Sequence, residues 1–305
     1  MCGIGGIYYP DDSTPVPVES ISDLWCGLEN RGTHAAGFSL LWRGSDAPVV
    51  YKAPRKASKH TSRLSRYYGN GKTTRYVLLH TRYTTQGSVE NNGNNHPVVA
   101  HGITMTHNGV LYRDQTVFDR LGVSRVHDVD TEALNAALSI ESPGWTLDNV
   151  EGSMSVAWTD DRDTEDTVHL MTNGGNPLVI GRLKSGGIVW ASTLPHLQHL
   201  ELDSHFHATP FKHYWLTPDG AIRSEKVSEQ SRPSNRAIRH ASQFGGQGGG
   251  SRGFFSHSGY KTTKKSKKSK KTRSKTLPVD WSDSTVWSDL SDWYYDVEIG
   301  AWTKR

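Results

Sequence analysis

The sequence predicts an α+β domain of many short strands and two or three helices, followed by a low-complexity tail. Up to about position 227, apolar runs of strand length alternate with turn residues. Clear examples are residues 76–80, 153–158 and 187–191. Two segments carry apolar residues at helical spacing instead. Many strands with few helices fit a layered α+β domain better than a βαβ repeat.

The two predicted helices have recognisable starts. In the first, apolar residues recur at helical spacing over 21–28, behind Ser20 and Asp23, which resemble a capping box, and Gly32 follows as a stop. The second begins at Asp130 or Thr131 and continues with Leu134, Ala137 and Leu138 on one face.

The net charge of +4 is divided unevenly along the chain. Residues 228–305 hold 15 Lys and Arg against 7 Asp and Glu, a charge of +8, whereas the other 227 residues hold 20 against 24, a charge of −4. We divide the chain into a domain over 2–227, a Gly/Ser/Arg-rich linker over 228–260, a polybasic tract over 261–275 and a Trp/Tyr/Asp-rich segment over 276–305. The linker composition predicts disorder, because it cannot bury enough apolar surface.

Composition also bears on the cellular compartment in which the protein is expected. No run approaches 18 apolar residues, and the N-terminus has no apolar stretch typical of a secretion signal. Two cysteines form neither a disulfide framework nor a four-cysteine zinc site. We therefore expect a cytoplasmic protein without membrane contact, in which a cysteine stays reduced. We expect no cofactor and no metal site.

Cys2 is the most informative residue. A small second residue permits removal of Met1, which would leave the thiol and the free α-amine on one residue. An α-amine has an ordinary pKa of about 7.7 to 8.0 and serves as a base near neutral pH, so one residue would supply nucleophile and base. The alternative is that Cys2 is an ordinary small residue on a strand, because cysteine is often buried.

Six short elements in the 305-residue sequence occur in a fixed order. They are Cys2–Ile7 (CGIGGI), Arg31–Gly37 (RGTHAAG), His80–Gly87 (HTRYTTQG), Asn95–Pro97 (NHP), His107–Gly109 (HNG) and Asp130–Glu132 (DTE). Together they resemble the class II glutamine amidotransferases, which are N-terminal-nucleophile enzymes. The similarity extends over roughly residues 2 to 225. It implies the four-layered αββα fold of those enzymes.

The resemblance also implies roles for individual residues. Cys2 would attack the glutamine side-chain amide, and the Asn108 amide with the Gly109 backbone N–H would form the oxyanion hole. Arg82 would bind the α-carboxylate through its planar fork, and Asp130 the α-ammonium group. Taken alone, Arg82 is equally consistent with a surface cation and Asp130 with a helix N-cap.

Four further residues match positions near the site. Arg31 is expected to support the Cys2 pocket. The alternative is that it only places a favourable positive charge at the C-terminal end of a helix. Thr85 and His96 match positions that line the glutamine pocket. Tyr83 stands where a tryptophan is frequent, so the position keeps an aromatic side chain of smaller size.

The resulting hypothesis is hydrolysis of L-glutamine to glutamate and ammonia through a Cys2 thioester. Residues 228–305 are too short and polar for an acceptor domain, so we expect a synthetase or transferase to receive the ammonia in trans. The tract Lys261–Lys275 is a candidate for binding nucleic acid or an acidic partner, or is a solvated tail. Some free-standing members of the family accompany nucleobase modification. The alternatives are an N-terminal-nucleophile amidase for another amide, and a catalytically silent binding module that works through the tail.

Overall fold

A computed structural model of the chain describes residues 1–68 and 71–227 completely, together with the backbone of two short strands, 293–296 and 301–304. The linker 228–260, the polybasic tract 261–275 and most of the segment 276–305 lie outside these described residues. The chain divides into two units, Met1–Phe244 and Gly245–Arg305. In the second unit, Trp293–Asp296 pairs antiparallel with Ala301–Lys304.

Two antiparallel sheets form the first unit. The first sheet has seven strands, in the spatial order β11 (Leu202–His207), β9 (Val179–Leu183), β10 (Ile188–Ala191), β1 (Gly3–Tyr8), β4 (Thr74–Arg82), β2 (Ala35–Trp42) and β3 (Val49–Ala53). The second has six strands, in the order β13 (Ile222–Lys226), β12 (Lys212–Leu216), β8 (Val168–Thr172), β7 (Glu151–Asp160), β6 (Ile103–Tyr112) and β5 (Val98–Ala100).

In the part of the chain that the structure describes, five α-helices cover the outer faces of the sheets. They are α1 (Val18–Gly27), α2 (Thr61–Tyr68), α3 (Asp114–Leu121), α4 (Thr131–Ile140) and α5 (Pro143–Asn149). Four short 3-10 helices lie at Leu28–Arg31, Ala57–Lys59, Asn92–Asn94 and Leu194–Leu197. No helix among the described residues is long and apolar enough to cross a bilayer.

Three apolar cores define four layers, which confirms the predicted αββα architecture. Trp25 and Phe38 belong to the core between α1, α2 and the first sheet. Leu78 and Trp190 belong to the core between the two sheets. Leu134 belongs to the core beneath α3, α4 and α5. A sheet covered on both faces accounts for strands that are buried along their whole length, such as β1 and β4.

Strand alternation decides which side chains face the site. Successive side chains of a strand point to opposite faces of its sheet. In β1, Ile4 and Tyr8 join the core between the sheets, whereas Ile7 joins the core beneath α1. Cys2, two residues before Ile4, therefore lies on the side that faces the second sheet.

The helix predictions were partly right. The helix predicted from Asp130 or Thr131 is α4, as expected. The capping-box start of the first helix was wrong, because α1 begins at Val18 after Pro17 and has no side-chain cap. Proline is well suited to a helix start, which moves the boundary ahead of Ser20. The structure also contains α2, α3 and α5, which are too short for a strong periodic signal.

Candidate active site

Cys2 lies immediately before β1, on the side that faces the second sheet. Its side chain is 9% exposed, and Sγ donates to the Tyr83 carbonyl oxygen across 3.6 Å. Burial raises the pKa of the thiol, while nearby Arg82 opposes this shift and Asp130 reinforces it. Both residues expected to bind the amino-acid end of glutamine thus act electrostatically on the expected nucleophile.

Arg31 and Asn108 meet at the Cys2 backbone carbonyl. Arg31 Nε donates to Cys2 O across 2.8 Å. The Asn108 amide is oriented so that its nitrogen donates to Cys2 O at 2.9 Å and its oxygen accepts from Arg31 Nη2 at 3.3 Å, because the reverse orientation sets like groups against each other. Asn108 has a second N–H, which leaves one donor for an oxyanion.

Gly109 lies where the structure leaves no room for a side chain. Gly109 lies on β6 opposite Met154 of β7. A Cβ at this position would lie 1.9 Å from the Ser153 carbonyl oxygen and 2.4 Å from His107 Nε2. Glycine therefore keeps β6 and β7 paired at this point.

Glycines of the RGTHAAG element hold it against the other motifs. A Cβ on Gly32 would lie 2.5 Å from the backbone of both Arg82 and Tyr83, and one on Gly37 would lie 2.2 Å from the His96 carbonyl oxygen. The close approach that these two residues permit brings the RGTHAAG segment alongside the HTRYTTQG loop and the NHP segment.

Arg82 is buried and bonded to its own loop. Its Nη1 donates to Asn95 Oδ1 at 2.7 Å, and its Nη2 donates to the carbonyl oxygens of Gln86 and Gly87. Burial lowers the pKa of the guanidinium, and nearby Cys2 and Asp130 oppose that shift. Three of the five guanidinium N–H donors are thus used within the protein, so two remain for a ligand.

Asp130 occupies the N-cap position of α4 without capping that helix. Its Oδ2 instead accepts from the Leu111 backbone N–H at 2.8 Å. A carboxylate that turns away from its own helix and towards β6 does not behave as an ordinary N-cap residue. The structure therefore favours a role for Asp130 outside helix capping.

The remaining expected site residues occupy different environments. Tyr83 is 49% exposed, and Thr85 is also exposed. His96 is buried, with Nε2 2.8 Å from the Thr131 hydroxyl and its ring stacked on His80 at 4.1 Å. Tyr83 and Thr85 thus lie at the surface, whereas His96 lies within the protein.

Sequence reasoning did not foresee a buried histidine cluster behind the site. His80 Nε2 lies 3.0 Å from the His107 carbonyl oxygen, and the Thr131 hydroxyl contacts both His96 Nε2 and His107 Nδ1. Burial lowers the pKa of all three imidazoles, that of His80 to about 3. His80 and His107 each open a motif, which was the available sequence signal.

No metal centre accompanies these residues in the part of the chain that the structure describes, since no group of three His, Cys, Asp or Glu is arranged to hold an ion there. The chemistry available to the site comes from a thiol, two amide-type donors and a pair of opposite charges. These groups suit nucleophilic attack on a carbonyl carbon with stabilisation of the resulting oxyanion.

Structural comparison identifies the fold. The chain is similar to the glutamine phosphoribosylpyrophosphate amidotransferase from B. subtilis complexed with ADP and GMP, with a TM-score of 0.57 and 18% identity over 75% of this chain and 50% of that chain. An allosteric regulatory enzyme of purine biosynthesis matches with a TM-score of 0.57 and 17% identity, over 75% of this chain and 49% of that chain.

Sequence comparison gives relatives of one kind. A glutamine–fructose-6-phosphate aminotransferase (isomerizing) of Xylella fastidiosa (strain 9a5c) is 31% identical over 137 residues, which is 44% of this chain and 21% of that protein. The enzyme of the same name from Pectobacterium atrosepticum is 26% identical over 204 residues, 60% of this chain and 30% of that protein. The matches thus cover less than a third of these relatives. No protein-family model matches the chain.

The four-layered fold, with a cysteine at the start of a central strand, is that of the N-terminal-nucleophile hydrolases. Together with the similarity to an amidotransferase and to aminotransferases, this fold supports a domain of the class II glutamine amidotransferase type.

Proposed function

We propose that this protein hydrolyses the side-chain amide of L-glutamine to glutamate and ammonia, with Cys2 as nucleophile after removal of Met1. The observation that carries the proposal is the convergence of Arg31 and Asn108 on the Cys2 carbonyl, with Arg82 and Asp130 close enough to influence the thiol. Arg31 acts as a supporting residue in this proposal.

Removal of Met1 creates the base. While Met1 is attached, the Cys2 nitrogen is an amide and accepts no proton. Partial burial lowers the pKa of the Met1 α-amine, as does the charge of Arg31, although Cys2 opposes the shift. A free amine on Cys2 lies one residue deeper, so we expect burial to favour its neutral, basic form there too.

The reaction then proceeds in two steps. The Cys2 amine accepts the thiol proton as Sγ attacks the amide carbon, and Asn108 and Gly109 N–H groups stabilise the oxyanion. Collapse breaks the C–N bond, and the leaving group departs as ammonia with the proton from the amine. Water, deprotonated by the same amine, hydrolyses the γ-glutamyl thioester to glutamate and restores the thiol.

Recognition of glutamine depends on both of its charged groups. Arg82 provides two further N–H donors for the α-carboxylate, and Asp130 a negative charge for the α-ammonium. Tyr83 and Thr85 lie on the loop next to this end of the substrate, and His96 supports the pocket from behind. This charge pair argues against an amidase for amides without an amino-acid end.

The ammonia acceptor is part of the proposal. We propose a synthetase or transferase as the acceptor, because the similar proteins named above are an amidotransferase and aminotransferases. A nucleobase-modifying acceptor depends only on the charge of residues 261–275, which lie outside the described residues, and it stays a prediction of the sequence.

The test is the intact mass of untagged protein before and after incubation with 6-diazo-5-oxo-norleucine, a glutamine analogue that alkylates the nucleophile. We expect loss of Met1 and one adduct, which Cys2→Ala abolishes and Cys26→Ala retains. Parallel assays should give glutamate and ammonia in equal amounts. An adduct on Cys26, or no adduct with no glutamate release, would reject the proposal and favour a silent binding module.

A further inference from the structure

His34, in the middle of the RGTHAAG element, lies beside the end of β4 and contacts it in three ways. Its backbone N–H donates to the Arg82 carbonyl oxygen at 3.0 Å. Its Nδ1 accepts from the Thr84 backbone N–H at 3.0 Å. Its ring stacks on Tyr83, with centroids 4.9 Å apart and an interplanar angle of 29°. Three consecutive residues of the loop are therefore held by one side chain and its backbone.

The middle residue of that loop segment contacts the expected nucleophile, because the Tyr83 carbonyl oxygen accepts from Cys2 Sγ at 3.6 Å. A displacement of the Tyr83–Thr84 backbone would thus move a direct partner of the thiol. It would also move Arg82, whose Nη2 donates to carbonyl oxygens further along the same loop.

We propose that His34 is a positioning residue that fastens the Tyr83–Thr84 loop beside Cys2 only while its imidazole is neutral. The Thr84 N–H is a donor, so Nδ1 must present a lone pair and the proton lies on Nε2. When Nδ1 also takes a proton, its N–H and the Thr84 N–H are two donors that face each other, and the hydrogen bond with Thr84 is lost. The catalytic part of this inference rests on the proposed function, whereas the contact itself does not.

Few charged groups lie near the His34 imidazole. The side chain is exposed. The preceding 3-10 helix carries Glu29, which accepts from the Ser58 N–H, and Arg31, which points at Cys2. The strand end carries Arg82 and the Tyr83 phenol. None of the carboxylates among the described residues forms an ion pair with His34.

Two substitutions separate the hydrogen-bond acceptor at position 34 from the ability of the side chain to take up a proton. Asparagine carries an acceptor oxygen the same number of bonds from the backbone as Nδ1, and it does not ionise. His34→Asn should therefore keep the Thr84 contact at every pH, whereas His34→Ala removes it at every pH. Because the side chain is exposed, neither change should affect folding, which thermal unfolding checks.

Hydrogen exchange at the Thr84 amide is the direct readout and needs no activity. After correction for intrinsic rates, we expect slow exchange at about pH 7.5 in both wild type and His34→Asn. At about pH 5.5 exchange should be fast in wild type, where a proton on Nδ1 removes the acceptor, and should stay slow in His34→Asn. His34→Ala should exchange fast at both. Equal exchange in all three proteins, or wild-type exchange that does not change with pH, would overturn the inference.

Glutamine kinetics give the second readout. His34→Ala should raise KM roughly two- to tenfold, as expected for one lost hydrogen bond, and His34→Asn should flatten the acid side of the profile of kcat/KM. If no protein hydrolyses glutamine but Thr84 exchange follows the expected pattern, only the proposed function fails. If glutamine is hydrolysed but wild type, His34→Asn and His34→Ala have the same Thr84 exchange, the same KM and the same pH profile, only the role of His34 fails.

Discussion

The Arg31 side chain contacts the backbone of Cys2, the expected nucleophile: Arg31 Nε donates to the Cys2 carbonyl oxygen at 2.8 Å. The same guanidinium donates through Nη2 to the Asn108 amide oxygen at 3.3 Å. One cation from the end of a 3-10 helix thereby ties the start of β1 to β6 of the other sheet. This fork supports the direct contact between Asn108 and the Cys2 carbonyl oxygen, since each of its two arms holds one of the two residues.

Replacement of Arg31 by lysine should therefore lower kcat more than it raises KM. A lysine ammonium lacks the planar fork that spans Cys2 O and Asn108 Oδ1. We expect a fall in kcat of about 10- to 100-fold, the range for losing a hydrogen bond from a charged donor. Arg43→Ala is the matched control, because Arg43 also donates to backbone carbonyls but at the opposite end of the sheet. Equal losses in both variants would argue against a role at the site.

Substitution Asp130→Asn should weaken recognition of the glutamine ammonium group. Asparagine keeps an acceptor for the Leu111 N–H and removes the negative charge. We expect kcat/KM for glutamine to fall by about 10- to 100-fold. Glutaramic acid, which has the amide and carboxylate but no α-ammonium, should be hydrolysed equally by both proteins. A proportional loss on both substrates would mean that Asp130 acts on folding or chemistry instead.

Two glycine substitutions should differ in their effect on stability. Gly109→Ala places a Cβ against the Ser153 carbonyl, so we expect the free energy of unfolding to drop by about 1 to 3 kcal/mol. Gly27→Ala, in α1, meets nothing within 4 Å and should leave stability unchanged or raise it by up to about 1 kcal/mol. Urea denaturation measures both. Similar midpoints for the two variants would contradict the close approach of β6 and β7.

The buried histidines should make the protein sensitive to acid. Burial lowers the pKa of His80 to about 3, whereas in the unfolded chain it is about 6.5. Between these values the unfolded state binds more protons, so the free energy of unfolding falls as pH drops through this window, by up to about 1.4 kcal/mol per pH unit for this group.

Urea denaturation across the same window is the measurement. The control is His80→Gln, which keeps a donor for the His107 carbonyl but does not titrate. In this variant, the slope of the unfolding free energy against pH should be smaller than in wild type by the contribution of one proton. An unchanged slope would show that His80 is not the group that takes up the proton.

The amino-acid sequence was sufficient for features that depend on local periodicity or on short ordered motifs. Apolar runs located β4, β7 and β10, helical spacing located α4, and the six motifs indicated the αββα fold and the family. Short helices such as α2 were missed because eight residues present too few turns of apolar spacing. The start of α1 was misplaced because Pro17 outweighs a polar capping pattern.

Only the tertiary structure decided which partners these residues have. Asp130 turns from its own helix to the Leu111 N–H, His96 lies beneath the surface against His80, and His34 contacts a loop 50 positions away in the chain. Such contacts join residues far apart in sequence, and they exist because strand pairing and side-chain-free glycine positions bring two backbones together. Local sequence patterns carry no information about distances of that kind, so the motifs identify the reacting groups and the folded chain determines their contacts.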